Sequence, residues 1–289
     1  MTLPRLVASD LDGTLLRSDG TVSPRTRAAL RAVEDAGVEV VLVTARPPRW
    51  LDALADCVGD HGRVVCLGGA AVWDLASGTA LDVQGFADDD VRALAADLRD
   101  AVPGVALALE RTSGPVFDPW FPPDETGLPA HVRAATVEES LGGAVHEPGT
   151  VGKVLAVLPG RGLSTRVGDV QRGDVRDPAQ EEFFAAVRAA VGDRAHLAFS
   201  GAAGLAELLP AGVTKDRALA RWSARLGIDA ADVWAFGDMP NDLPMLRWAG
   251  RGVAVANAHP DVLACADTVV ASNDDDGVAD LLESVLALR

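Results

Sequence analysis

The stretch VASDLDGTLL, residues 7–16, decides how the rest of the chain is read. An apolar run of strand length ends on Asp10, Asp12 follows two residues later, and Gly13 and Thr14 come next. Two carboxylates at the mouth of a buried strand are destabilising unless a cation or hydrogen-bond donors meet them. Asp12-Gly13 alone is a common turn signal. A calcium loop does not fit, because counting from Asp10 the sixth position is Leu15 where Gly is needed. The twelfth is Thr21, where the loop needs Glu. The purpose of the pair therefore depends on what else the chain brings to the same place.

Outward from that stretch, strand and helix alternate. RLVAS, residues 5–9, reads as a short buried strand, and SPRTRAALRAVEDAG as a helix. Ser23 caps that helix, Pro24 suits its first turn, Leu30 and Val33 share a face, and Gly37 ends it. VEVVLVT, residues 38–44, is a β-branched strand, RWLDALADCVG has a helical pattern, and RVVCLGG is again strand-like. Short connections between alternating elements indicate a parallel sheet covered on both faces.

The rhythm changes near residue 84. FADDDVRALAADLRDAV is a helix, followed by short strands and Pro/Gly-rich loops such as SGPVFDPWFPPDETGLP. VGKVLAVLPG and GLAELLPAG read as strands, with the helix PAQEEFFAAVRAAVG between them. Residues 84–209 therefore form a second, α+β unit inserted into the first. The alternation returns with the helix TKDRALARWSARLG, which has Leu219, Trp222 and Leu226 on one stripe. DVWAFGD, RGVAVANA and DTVVAS follow as strands, and GVADLLESVLALR closes the chain as a helix. The expected architecture is α/β, with a core of residues 1–83 and 210–289 and an insertion at 84–209.

Of 289 residues, 48% are hydrophobic, enough for a substantial core. The formal net charge of −16 opposes nucleic acid as a partner. It also repels phosphate esters, so a phosphate-handling site here needs local positive charge or a metal. No apolar run reaches the ~18 residues of a membrane span. The N-terminal MTLPRLVASD lacks the basic-then-apolar pattern of a signal peptide. Cys57, Cys66 and Cys265 are scattered, which fits reduced thiols packed in a cytoplasmic protein rather than metal ligands.

Ligands of parallel α/β sheets bind at the carboxyl ends of the strands. The first strand ends in Asp10 and Asp12. VEVVLV ends in Thr44, with Arg46 beyond it. VWAFG ends in Asp238, followed by Asn241 and Asp242, and Lys215 opens the helix after the insertion. Each has an ordinary reading alone. Thr44 is a common strand-end residue and Lys215 a solvated charge. Asp242 can cap a helix with Pro244 in its first turn, and Asp274, Asp275 and Asp276 read as a solvated turn. Together they deliver acids from separate strand ends, a hydroxyl and a lysine to one edge. That set suits a hard cation, held by carboxylates, beside a phosphoryl group held by Lys, Thr and backbone N–H groups.

DLDGTLL, VLVTAR, GVTKDRAL and GDMPNDLPML, in this order, resemble the haloacid dehalogenase (HAD) superfamily of aspartate-nucleophile phosphatases. VGKVLAV, LAELLPAGVTK and the tail VAVANAHPDVLACADTVVASNDDDGVADLL are similar to its Cof-type branch. The resemblance covers nearly the whole chain. It implies a Rossmann-like parallel-sheet core domain with an inserted α+β cap domain. The implied activity is Mg²⁺-dependent hydrolysis of a small phosphorylated metabolite, such as a sugar phosphate, through an aspartyl-phosphate.

In the implied roles, Asp10 attacks phosphorus and Asp12 acts as acid and then base. Mg²⁺ is held by Asp10, Asp12 through its backbone carbonyl, and Asp238, with Asp242 assisting. Gly13, Thr44, Arg46, Lys215 and Asn241 face the substrate. Lys215 also orients Asp10. The insertion lies between Thr44 and Lys215, where the family carries its larger cap, and such caps exclude water and select substrate. Arg46 and the DPWFPPDE loop are candidates for substrate contact, while Trp120 and Phe121 read as packing of that loop.

The chain departs from the family pattern at Gly68-Gly69, where Asn-Gly is frequent, and at Asp216, where Gly often follows the lysine. These changes touch substrate choice and the cap hinge, not the reacting groups. A phosphoryl transferase such as a phosphomutase is the alternative within enzymes. A non-catalytic metabolite-sensing binder is the alternative outside them, and the intact Asp10, Asp12, Lys215 and Asp238 count against it. A phosphorylated receiver domain is disfavoured by the insertion and by the paired aspartates. Neither the physiological substrate nor the oligomeric state is written in the sequence.

Overall fold

A computed structural model describes residues 3–54, 62–122, 130–133, 135–142, 151–160, 178–198 and 204–288. The chain begins with β1 (Leu6–Asp10), α1 (Pro24–Asp35), β2 (Glu39–Val43), β3 (Arg63–Cys66), β4 (Ala71–Asp74) and β5 (Thr79–Val83). It continues with α2 (Asp88–Ala101), β6 (Ala106–Arg111), β7 (Gly114–Phe117), β8 (Val151–Val157), α3 (Pro178–Val191), β9 (Ala195–Ala198) and β10 (Leu205–Pro210). The last part holds α4 (Lys215–Arg225), β11 (Val233–Gly237), α5 (Leu243–Trp248), β12 (Arg251–Val255), α6 (Pro260–Cys265), β13 (Thr268–Val270) and α7 (Gly277–Leu286). Two compact units result: Met1–Asp82 with Thr214–Arg289, and Val83–Val213.

The first unit is built on an eight-stranded sheet of order β13-β12-β11-β1-β2-β3-β4-β5. From β13 to β3 the strands run parallel. β1 lies in the middle and all five of its residues are buried. A strand hidden on both faces needs a continuous apolar run, and LVAS meets that need until Asp10. α1 begins where expected: the Ser23 side chain accepts from the Thr26 N–H, Pro24 occupies the first turn, and Ala29, Leu30 and Val33 are buried.

The sequence reading is amended at two places. The sheet is not wholly parallel: β4 pairs antiparallel with β3, and β5 lies at the edge beyond it. These two strands are not marked by a long apolar run, and only Ala71 and Val72 are buried. RWLDALADCVG contains two 3-10 turns, Pro48–Trp50 and Asp52–Leu54, instead of a helix beginning at Arg49. Its remaining residues, Cys57 among them, lie outside the described residues.

The second unit carries a five-stranded antiparallel sheet of order β7-β6-β8-β10-β9. Leu107, Leu109, Val154, Ala156, Ala206 and Leu208 pack with Val91, Leu94 and Leu98 of α2 and Phe183 and Val187 of α3. Ala106, Ala108, Leu155 and Val157 pack with Phe117, Phe121 and Val132. Phe121 is thus a packing residue, its ring 5.2 Å from that of Phe117. Trp120 stays 46% exposed, with its indole N–H donating to the Val105 carbonyl at 3.2 Å. The DPWFPPDE loop beyond Pro122 lies outside the described residues.

Candidate active site

The expected groups meet within the first unit. Asp10 ends β1, in register with Val43, so Thr44 leaves the neighbouring strand at the same edge. Asp238 directly follows β11, the strand on the other side of β1. The turn Pro240–Asp242 then returns Asp242 beneath that edge, and Lys215 is the first residue of α4. One ligand oxygen each from Asp10, Asp238 and Asp242 lie within 4.8 Å of one another. The three residues are 6%, 3% and 0% exposed.

Lys215 is the ammonium of this cluster. Its Nζ donates to Asp10 Oδ1 at 2.5 Å and to Asp242 Oδ1 at 2.7 Å. Burial alone lowers the affinity of Lys215 for its proton, but Asp10 and Asp242 outweigh it and hold the ammonium above its ordinary value. The other oxygen of Asp242 accepts from the backbone N–H groups of Asp238 and Met239, at 3.2 and 3.1 Å. Asp242 therefore fixes the lysine and the Asp238 turn together, and its side chain makes no capping hydrogen bond to α5.

One ammonium does not balance three carboxylates. Burial first, aided by Asp242, Asp238 and Asp12, raises the Asp10 carboxyl well above its ordinary value despite Lys215. Burial and then the charge of Asp242 push Asp238 up to about 7. Among the described residues Asp238 has no ion-pair partner. Its Oδ1 accepts from the Thr14 hydroxyl, at 3.0 Å. A tight, buried, all-oxygen donor set with surplus negative charge fits a hard divalent cation.

The loop after β1 wraps tightly. The Leu11 carbonyl accepts from the N–H groups of Thr14, Leu15 and Leu16 at 3.3, 3.0 and 2.8 Å. Gly13 has φ +84°, and a Cβ there would lie 2.4 Å from Asp238 Oδ2. Gly69, at φ +110°, allows a similar approach, since its Cβ would meet the Thr214 carbonyl oxygen at 2.4 Å just before Lys215.

Asp12 is held by Arg46. Nε donates to Oδ2 at 2.9 Å and Nη2 to Oδ1 at 2.5 Å, a bidentate pair. The side chains of Asp12 and Arg46 are 31% and 25% exposed, so this acid, unlike the other three, reaches solvent. Thr44 is buried, and its Oγ1 accepts from the Arg46 N–H at 3.1 Å, which leaves its own proton to donate. Asn241 has a buried side-chain oxygen without a hydrogen-bond partner.

Sequence reasoning missed the Arg46–Asp12 pair and two asparagines. Asn257 donates to the Gly13 carbonyl at 2.7 Å, and Asn273 donates to that of Leu16 at 2.8 Å. Asp274 and Asp275 are exposed, as the solvated-turn reading requires. Yet Asp274 accepts from the Ser18 backbone and hydroxyl, and Asp276 pairs with Arg17 at 2.9 Å. Only the position of Asn273 and these acids in the turn that ends the last strand could have signalled this.

Comparison with known proteins places the chain among relatives. The haloacid dehalogenase-like hydrolase family matches residues 7–115 and 173–282. A putative phosphatase of Bacillus subtilis (strain 168), YxeH, is 30% identical over 98% of this chain and 99% of its own length. YcsE of the same organism, a 5-amino-6-(5-phospho-D-ribitylamino)uracil phosphatase, is 28% identical over 95% of this chain and 93% of its own. Among solved structures, the HAD phosphatase BT1666 from Bacteroides thetaiotaomicron shares the fold with a TM-score of 0.73. It is 21% identical, covering 98% of this chain and 95% of that one. The chain belongs to the haloacid dehalogenase-like hydrolases, as a phosphatase of that superfamily.

Proposed function

We propose that this chain is a Mg²⁺-dependent phosphatase that hydrolyses a small phosphorylated metabolite, such as a sugar phosphate, through an aspartyl-phosphate on Asp10. The observation that carries the reading is the contact of Lys215 with both Asp10 and Asp242, beside a buried Asp238 whose carboxylate completes a donor set for a metal ion. Lys215 keeps one Asp10 oxygen oriented, and the ionised carboxylate attacks phosphorus. The bond from phosphorus to the ester oxygen breaks as Asp12, the solvent-reaching acid, gives that oxygen its proton. Asp12, now a carboxylate, takes a proton from water, whose oxygen attacks phosphorus and restores Asp10 while releasing phosphate. Thr44 donates to a phosphoryl oxygen, and Gly13, Arg46 and Asn241 flank the same group.

The carboxylates of Asp10 and Asp238 and the backbone carbonyl of Asp12 are assigned to Mg²⁺, with Asp242 assisting. Bound there, the ion would supply positive charge against the negative charge on the phosphoryl oxygens. The first unit is assigned the catalytic core and Val83–Val213 the substrate-selecting cap domain. The likeness to YxeH and YcsE supports phosphomonoesters as the substrate class. The scattered spacing of Cys57, Cys66 and Cys265 supports a cytoplasmic setting. No described helix is long and apolar enough to cross a membrane.

Hydrolysis of p-nitrophenyl phosphate and of a panel of sugar phosphates tests this, with Mg²⁺, with EDTA, and with Asp10→Asn. Turnover that needs Mg²⁺ and disappears in Asp10→Asn is expected. Turnover that persists in Asp10→Asn defeats the mechanism.

A further inference from the structure

β12 and β13 contribute no carboxylate to the acidic cluster, yet each is followed within three residues by an asparagine that reaches the loop carrying Asp12. Asn257, just beyond β12, donates from Nδ2 to the Gly13 carbonyl at 2.7 Å. Its Oδ1 accepts the backbone N–H of Asn273 at 3.0 Å. Asn273, just beyond β13, is 7% exposed and donates from Nδ2 to the Leu16 carbonyl at 2.8 Å. The three bonds form one relay from the last strand to the turn behind the nucleophile.

Arg46 holds the Asp12 side chain in that turn, and the two asparagines hold its backbone. Its inner side is coiled on the Leu11 carbonyl and follows directly from β1. Its contact with the acidic cluster runs through Thr14 to Asp238 and through the close approach of Gly13 to Asp238. Carbonyls in a turn ordinarily bond water. Here two are taken by side chains from loops 244 and 257 residues away in sequence. Side-chain amides suit this task, because one group donates to a carbonyl and accepts an N–H at the same time.

We propose that Asn257 and Asn273 are positioning residues, which set the Asp12–Leu16 turn against Asp238 so that Asp12 meets the ester oxygen in line with Asp10. This rests on the phosphatase reading above. The chemical step depends steeply on such placement, whereas ground-state binding of the phosphoryl group rests chiefly on Lys215 and Thr44; of the groups flanking it the relay bonds only Gly13, through its carbonyl.

The test is steady-state kinetics of the full chain with Mg²⁺ and p-nitrophenyl phosphate or the best ester of a panel. Wild type is compared with Asn257→Ala, Asn257→Asp, Asn273→Ala and the double alanine variant. Hydrogen–deuterium exchange of the peptide covering residues 11–18 is read alongside. Asn257→Asp keeps the acceptor for Asn273 but sets a carboxylate oxygen against the Gly13 carbonyl. Both Asn257 variants are expected to lose ~10- to 100-fold in kcat with KM within ~2-fold, and to exchange faster at residues 11–18. The double variant is expected to lose less than the product of its single losses, because the two asparagines act as one relay.

Wild-type kcat in Asn257→Ala, or a loss confined to KM, overturns the proposal. Faster exchange at 11–18 without loss of kcat overturns it too, since the tether then serves only stability. A wild type without turnover on any ester overturns the phosphatase reading itself, a failure separable from unchanged kcat in the variants.

Discussion

Replacing Asp238 by Asn should make the metal-free protein more stable while abolishing its activity. Asp238 is 3% exposed, and burial followed by the charge of Asp242 carries its carboxyl from an ordinary 3.8 to about 7. A value raised in the folded state means that the fold binds the proton more tightly than the unfolded chain does. Ionising Asp238 as pH rises from about 4 to about 7 therefore removes stability. A gap of about 3 pH units at 1.36 kcal/mol each corresponds to about 4 kcal/mol by pH 8. Asparagine has nearly the same shape, keeps an oxygen for the Thr14 hydroxyl at 3.0 Å, and carries no charge.

In EDTA at pH 8, Asp238→Asn is accordingly expected to exceed wild type by up to ~4 kcal/mol in urea denaturation. Tryptophan fluorescence can follow it, with Trp234 buried in β11. At pH 4 the wild-type carboxyl is largely protonated and the difference should nearly vanish. Added Mg²⁺ should stabilise wild type more than the variant. A variant no more stable than wild type at pH 8, or a difference that does not change between pH 8 and pH 4, would refute the charge surplus from which the cation site was inferred.

Two further substitutions probe the same cluster. Gly13→Ala forces a Cβ to within 2.4 Å of Asp238 Oδ2 at a left-handed φ of +84°, so a loss of ~100-fold or more in kcat is expected, with weakened Mg²⁺ binding by calorimetry. Lys215→Met leaves Asp10 and Asp242 buried without their ammonium, and denaturant titration at pH 8 should show a loss of ~3–5 kcal/mol along with loss of turnover.

The groups of the candidate site were legible because strand ends are legible. An apolar run that stops on a polar residue marks both the strand and the place where its side chain emerges, and Asp10, Thr44 and Asp238 each follow that rule. Lys215 was legible from its place at the start of a helix after a long insertion. The β4–β5 edge was not, because an edge strand buries little and AVWD and TALDV carry no sustained apolar pattern. The Arg46–Asp12 pair depends on where two side chains point across a separation of 34 residues, which composition does not encode. Asn257 and Asn273 look like ordinary turn residues, since asparagine favours loops whether or not its amide reaches another segment. The surplus charge needed three-dimensional burial to appear, for the sequence shows acids but not the water removed from around them.

The position of β1 has a consequence for the order in which the chain is synthesised. Its partner on one side, β2, emerges early, but its partner on the other, β11, does not begin until Val233. The whole of Val83–Val213 is synthesised in between. During that interval β1 is an unpaired sheet edge of buried-type residues, the kind of surface that invites mispairing. The acid that is first in the chain acquires Lys215, Asp238 and Asp242 only after the insertion is complete. A nascent or truncated chain thus holds Asp10, the proposed nucleophile, long before it holds the residues around it, which arrive with the last quarter of the polypeptide.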